Sequence, residues 1–374
     1  MSTEVKLSNV PKMSAGTLVT KLSTAYTEVL NNGSLVKAFP SVMLWGPPGI
    51  GKSQAVKQIA KEIEIGTGKR TSVTDVRLLL FNPIDLRGIP TANEDKTLSV
   101  WLKPEIFKMD ESEDVVNILF LDEISAAPQS VQAAAYQIAL DRVIGEHSLP
   151  DNCIVIAAGN RTTDKSVAYK MPKALANRLL HIEIVGSFEA WREWAVSSGI
   201  NPKVIGFLSF KPDMLMKFDA ASEDLAFSTP RSWEMVSNIL NNVSEDLSLV
   251  YSFISGVVGI GAATEFRHWC KIYNKLPNIE DIFDGTTGNA DVPTDIDVLF
   301  ALISSMVSYA RGHKDEMDKI NNSLEYAKLL PTDYCVVLLK DYMYIEKGYK
   351  EKLIKCPAFV ELIVKHGKAL NGNN

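Results

Sequence analysis

Up to about residue 185, short apolar runs alternate with stretches of helical period. Residues 14–30, SAGTLVTKLSTAYTEVL, have that period, with Ser14 placed to cap it. SVMLW (41–45) is an apolar run of strand length. SQAVKQIAKEI then sets Ala55, Val56, Ile59, Ala60 and Ile63 on one helical stripe. VTDVRLLLF (73–81), VVNILFLDE (115–123), CIVIAAGN (153–160) and LHIEIV (180–185) predict four further strands. PQSVQAAAYQIALDR, with Pro128 suited to a first turn, and PKALANRL (172–179) predict helices between them. Near-continuous apolar strands separated by helices imply a parallel sheet covered on both faces. The fold class is α/β.

After about residue 187 the pattern changes. FEAWREWAVSSG, RSWEMVSNILNNV, DIDVLFALISSMVSYA and MDKINNSLEYAKLL read as helices, so a mainly helical region begins near Gly186. Residues 278–297, rich in Gly, Asp, Asn and Thr, predict a surface loop. No repeat or low-complexity segment interrupts the chain.

The first apolar strand runs into Gly46-Pro47-Pro48-Gly49-Ile50-Gly51-Lys52-Ser53, which satisfies G-x-x-x-x-G-K-[ST]. Glycines let backbone N–H groups turn inward around phosphate oxygens, where a Cβ would intrude. The helix that follows adds its positive N-terminal end. Lys52 offers a point charge to the β- and γ-phosphates, and the Ser53 hydroxyl is placed to ligate Mg²⁺. A chance Gly-rich turn would lack this order of strand, loop and helix.

A second half of such a site needs an acid at the end of another buried strand. NILFLDE supplies Asp122 for the Mg²⁺ shell, through water, and Glu123 to polarise an attacking water. Alone, an apolar run ending in Asp-Glu marks only a strand reaching the surface. About 70 residues after a phosphate loop it becomes the matching half. IVIAAGNR ends another strand in Asn160, whose amide suits orienting water or sensing the γ-phosphate. The cofactors implied are ATP and Mg²⁺.

The 374 residues suffice for two domains, and 46% hydrophobic with 22% charged residues is ordinary globular composition. Net charge is −6, borne by the part after residue 186, so no basic body advertises nucleic-acid binding. No apolar run reaches the roughly 18 residues of a membrane helix. The N-terminus lacks the basic segment and apolar core of a secretory signal. Cys153, Cys270, Cys335 and Cys356 are scattered without paired spacing, as expected of free thiols in a reducing, cytoplasmic setting. His181, His268, His313 and His366 stand singly, with no metal spacing.

With these residues in hand, the chain resembles the AAA+ ATPases, and among them the MoxR family. Lys52, Asp122, Glu123 and Asn160 match its phosphate loop, Mg²⁺ acid, water-activating acid and first sensor. DLRGIP (85–90), WLKP (101–104) and the LFLDEISAAPQSVQAAAYQIALDRVIGEHSLP segment follow its pattern. MPKALANRLLHIEI places its arginine finger at Arg178, with Arg161 as runner-up, and STPRSWEMV places its second sensor at Arg231. From the residues alone, Arg178 could equally pair with a local carboxylate. The resemblance covers roughly residues 14–245. It implies an α/β nucleotide-binding core over 1–186, a helical linker and lid carrying the second sensor over 187–250, and leaves a helical extension, 251–374, without a role. It implies hydrolysis of ATP at sites shared by neighbouring subunits of a homo-oligomeric ring, a hexamer by family expectation. It further implies chaperone-like remodelling of a protein client, often one with a von Willebrand factor A domain. The stretches near 82–100 and 142–150 resemble the family's pore-facing elements. A nucleic-acid motor and a nucleotide-gated scaffold with little turnover are the alternatives.

Overall fold

The computed structural model describes residues 9–161, 171, 173–219, 222–287 and 292–370. The chain forms two compact units, Met1–Ser187 with Asp219–Ser222, and Phe188–Phe218 with Glu223–Asn374.

In the first unit β1 (Lys12–Met13) leads to α1 (Ala15–Asn31), whose N-cap Ser14 accepts from the Thr17 amide as expected. β2 (Val42–Trp45) runs into α2 (Lys52–Thr67), then β3 (Arg70–Arg77) and α3 (Pro83–Arg87). A hairpin of β4 (Ile89–Ala92) and β5 (Ser99–Leu102) precedes β6 (Val115–Asp122) and α4 (Gln129–Asp141). β7 (Val143–Ile144) and β8 (His147–Ser148) make a second, smaller hairpin. β9 (Cys153–Gly159), α5 (Lys173–Ala176) and β10 (Leu180–Ile184) complete the unit.

Six strands form one sheet in the order β1-β10-β2-β9-β6-β3, and every pairing is parallel. The two faces are apolar for the period-two reason. Val42, Leu44, Ile118, Phe120, Ile154, Ile156 and Ile182 pack with α1 and α2. Met43, Trp45, Leu119, Leu121, Val155 and Ala157 pack with Val131, Ala134 and Ile138 of α4. The stripe Ala55, Val56, Ile59, Ala60, Ile63 is buried on α2 as the period demands.

Three boundaries differ from the sequence pattern. β3 ends at Arg77, and Leu78–Leu80 tighten into a 3-10 turn that buries Leu78 and exposes Leu79 and Leu80. The apolar run there imitates a strand because periodicity cannot see that its neighbour β6 has ended. The two-residue β1 is too short to leave any period and exists through its pairing with Glu183 and Ile184. α5 stops at Ala176, short of the residue 179 expected.

Among its described residues the second unit has helices and connecting turns but no strand: α6 (Phe188–Ser198), α7 (Pro202–Phe210), α8 (Pro230–Asn242), α9 (Leu247–Val258), α10 (Ile260–Cys270), α11 (Ile279–Phe283), α12 (Ile296–Gly312), α13 (Met317–Ala327), α14 (Thr332–Met343), α15 (Tyr349–Leu353) and α16 (Pro357–Leu370). α11 corrects the expected loop at 278–297. Asn278 caps it, and Ile282 and Phe283 are buried, so two apolar anchors override a turn-rich composition. One buried cluster extends from Trp191 to Leu362. At its heart Phe207, Trp233, Phe266 and Trp269 meet ring to ring, so these tryptophans serve packing. Arg192 clasps Asp341 through Nε at 3.0 Å and Nη2 at 2.7 Å, joining α6 to α14 within that core. No helix among the described residues is long and apolar enough to cross a membrane.

Candidate functional site

Sheet register brings the site together. Trp45 on β2 stands beside Gly159 on β9, and Leu121 on β6 beside Ala157. The carboxyl ends of three adjacent strands therefore open at one level, the place where open α/β sheets bind ligands. Gly46, Asn160 and Asp122 are the next residues out or the last of the strand.

The loop from Gly46 is cramped at its base and open at its tip. A Cβ on Gly46 would lie 3.1 Å from the Ile184 carbonyl oxygen. Gly49 and Gly51 take the left-handed conformation, φ 75° and 101°, which side chains resist. Gly51 is the N-cap of α2 and provides no side chain to its first amides. Those N–H groups and the helix dipole are left for an anion, which is the fit a nucleotide phosphate requires.

Lys52 is almost buried, 9% exposed. Its ammonium donates to the Gly46 carbonyl at 2.7 Å, the Pro47 carbonyl at 3.1 Å and Asn160 Oδ1 at 2.9 Å. The Ser53 hydroxyl donates to Asp122 Oδ2 at 3.0 Å. Asp122 Oδ1 in turn accepts from the Glu123 amide at 2.8 Å. Hydroxyl and carboxylate oxygens side by side are the donor set of a Mg²⁺ site, and such a site needs few protein ligands. Asp75 on β3 adds to the negative field. Its carboxyl is held above its usual range, first by partial burial and then by the Asp122 charge.

Glu123 itself sits at φ 58°, a left-handed backbone in a residue that is not glycine. That conformation costs on the order of 1–3 kcal/mol and collects at functional sites. It is held by what surrounds it: the Ile124 amide donates to the Ala158 carbonyl at 2.9 Å, and the Glu123 carbonyl accepts from Ala126 at 3.0 Å. Buried Gln132 of α4 ties the turn further, donating to the carbonyls of Ser125 and Ala127. Ser125 Oγ accepts from the Asn160 amide at 2.8 Å, so the acidic turn and the Asn160 position are fixed to each other.

Lys52, Ser53, Asp122, Glu123 and Asn160 are thus gathered at one edge. Two of the three candidate arginines, Arg161 and Arg178, belong to the first unit. Arg178 is exposed on the turn between α5 and β10 and makes no ion pair among the described residues. Arg161 is committed within the chain, its Nη1 2.9 Å from the buried Glu183 carboxylate, which argues against it as a trans finger. Arg231 belongs to the second unit, exposed on the first turn of α8 beside the Thr229–Ser232 capping box. Sequence reasoning missed Ser125 and Asp75. Each depends on a neighbour in the sheet or turn, so no linear spacing marks them.

Residues 42–186 match the family model described as ATPase family associated with various cellular activities (AAA). The parallel six-stranded sheet with its flanking helices fits the AAA+ α/β fold. No curated protein sequence matches significantly. Among solved structures, similarity reaches a Cytophaga hutchinsonii protein described as an ATPase candidate, at 17% identity over 64% of this chain and 69% of that one, TM-score 0.31. A point mutant of Thermotoga maritima RuvB aligns at 15% identity over 78% of this chain and 82% of that one, TM-score 0.34. A chain of the E. coli MS115-1 HORMA:CdnC:Trip13 complex aligns at 14% identity over 67% and 84%, TM-score 0.34. Similarity this distant carries no functional weight.

Proposed function

We propose that the protein is a Mg²⁺-dependent ATPase of MoxR type that works in a ring on a protein client. The observation that carries the reading is the Lys52, Ser53, Asp122 and Asn160 cluster beside the strained Glu123. The α2 amides and Lys52 would bind the phosphates, and Lys52 must give up its bonds to the Gly46 and Pro47 carbonyls and Asn160 to reach them. Ser53 and Asp122 would hold the Mg²⁺, which neutralises charge on the β- and γ-phosphates when bound. Glu123 takes the proton of the attacking water, and Asn160 orients that water.

Arg178, exposed and without an ion pair among the described residues, then has a role as a finger that completes a neighbour's site. Contacts of that head-to-tail kind close into a ring, a hexamer by the family resemblance. Arg231 is assigned to nucleotide phosphates. Leu79, Leu80, Ile84, Ile89, Leu98 and Leu102, all exposed on the segment of α3 and the β4–β5 hairpin, favour a protein client over nucleic acid. A von Willebrand factor A-domain protein is the family expectation. Four buried free thiols fit a cytoplasmic setting.

Steady-state phosphate release tests the catalytic part. Wild type should turn over with Mg²⁺, and Glu123→Gln should bind ATP but lose at least about 10²-fold in rate. Equal, negligible rates would leave only the scaffold reading. Stimulation by DNA that falls steeply with salt would transfer the assignment to a nucleic-acid motor. Glu123→Gln held in ATP should retain the client in a pull-down.

A further inference from the structure

His181 has no place in the site just described, yet it connects two parts of it. It lies on β10 opposite Met43, one strand away from the phosphate-loop strand β2. Trp45, the residue before Gly46, donates its indole Nε1–H to His181 Nδ1 at 2.9 Å. The other ring nitrogen, Nε2, is 2.8 Å from the Ala176 carbonyl oxygen. Indole N–H is only a donor and a carbonyl only an acceptor, so the bonds define one neutral tautomer, with the proton on Nε2. The two rings are also nearly parallel, side by side, with centroids 6.0 Å apart at 18°.

Ala176 closes the turn that carries Arg178. Its carbonyl accepts from the Leu179 amide at 3.3 Å, the long bond of that turn. His181 donates to the same oxygen and thereby supports a turn whose own closure is weak. Arg178 points outward from it, exposed and without an ion pair among the described residues.

We propose that His181 is a positioning residue for ATP hydrolysis, clamping the Arg178 turn to Trp45 at the root of the phosphate loop. It touches neither nucleotide nor water. It sets the angle at which one subunit offers Arg178, and it ties that angle to the strand that ends in its own phosphate loop. The inference rests on the proposed shared site, and the mixed-subunit experiment below separates the two.

His181→Phe keeps an aromatic ring beside Trp45 and removes both hydrogen bonds. Affinity for a fluorescent ATP analogue should stay within about twofold of wild type, while kcat falls by about 10- to 100-fold, the loss a misplaced group produces. His181→Gln keeps an N–H at the ε position that reaches Ala176 and should return kcat to within about threefold of wild type. His181→Asn keeps only an acceptor toward Trp45 and should stay low. Equal kcat for Gln and Asn overturns the clamp, and this comparison decides even if the Phe variant does not fold. Adding excess Glu123→Gln protein supplies intact Arg178 turns to His181→Phe subunits and should restore their turnover. The control is Arg178→Ala mixed in the same way. Rescue of Arg178→Ala without rescue of His181→Phe sinks the clamp and leaves the shared site standing. Rescue of neither sinks both.

Discussion

Gly159→Ala is a one-methyl test of how the site is held. Gly159 ends β9, and a Cβ there would lie 2.9 Å from Met43 Cε, 2.9 Å from Ser125 Oγ and 3.1 Å from Ser125 Cβ. Carbon atoms keep about 3.5 Å, so the shortfall is about 0.6 Å against the methionine and 0.4 Å against the serine carbon. Met43 can give, since its end is flexible. Ser125 cannot give freely, because its Oγ holds the Asn160 amide at 2.8 Å and its carbonyl accepts from Gln132. Overpacking of this size costs about 1–3 kcal/mol. Loss of glycine's unfolded-state freedom offsets about 0.4–1 kcal/mol. The net destabilisation should be about 1–2 kcal/mol, a factor of roughly 5–30 in the folded-to-open ratio. Amide exchange read by mass spectrometry over Cys153–Gly159 should therefore quicken by that factor. ATP turnover should fall about 10-fold or more as Asn160 shifts with Ser125. Ser125→Gly in the same chain removes both serine contacts and should recover exchange protection without recovering Asn160's anchor. Unchanged exchange and unchanged turnover in Gly159→Ala would refute the coupling of Gly159, Ser125 and Asn160.

Arg192→Ala should destabilise the second unit by about 3–5 kcal/mol, because Asp341 is left buried without its cation. Burial already holds the Asp341 carboxyl above its usual range with Arg192 present. A folded-state value above the unfolded one means the folded state takes up the proton, so the variant's deficit should shrink as pH falls. Urea unfolding at pH 8 and pH 5 reads both effects, and a deficit under about 1 kcal/mol contradicts the pair's importance. Burial pushes the Cys153, Cys270 and Cys335 thiols up to about 11, 12 and 11, and Cys356 in the same direction. A thiol at about 11 is ionised in about one molecule in 10⁴ at pH 7, so a disulfide reagent should label the native protein slowly and all four sites at once in guanidinium. Fast native labelling would show that the sheet around Cys153 or the helical core around the other three opens readily.

The α/β class, the order of strands along the chain and the phosphate loop are all legible in the linear pattern of residues. Those features are local: a buried strand is a run of apolar residues, and GPPGIGKS follows one directly. That pattern also marks Asp122 and Asn160 as strand-end polar residues, since each breaks an apolar run. That these strand ends are level is a property of the folded sheet alone. β9 lies between β2 and β6, an order no periodicity contains, and it carries Asn160 to Lys52 while Ser53 reaches Asp122. The same holds for the residues that sequence reasoning passed over. Ser125 matters because the Asn160 amide lies against it, and Asp75 because β3 pairs with the strand of Asp122. His181, single in the sequence, matters because Trp45 and Ala176 approach it from 136 and 5 residues away. A lone histidine carries no spacing to read, and its meaning is set by the two hydrogen bonds that only the folded sheet supplies.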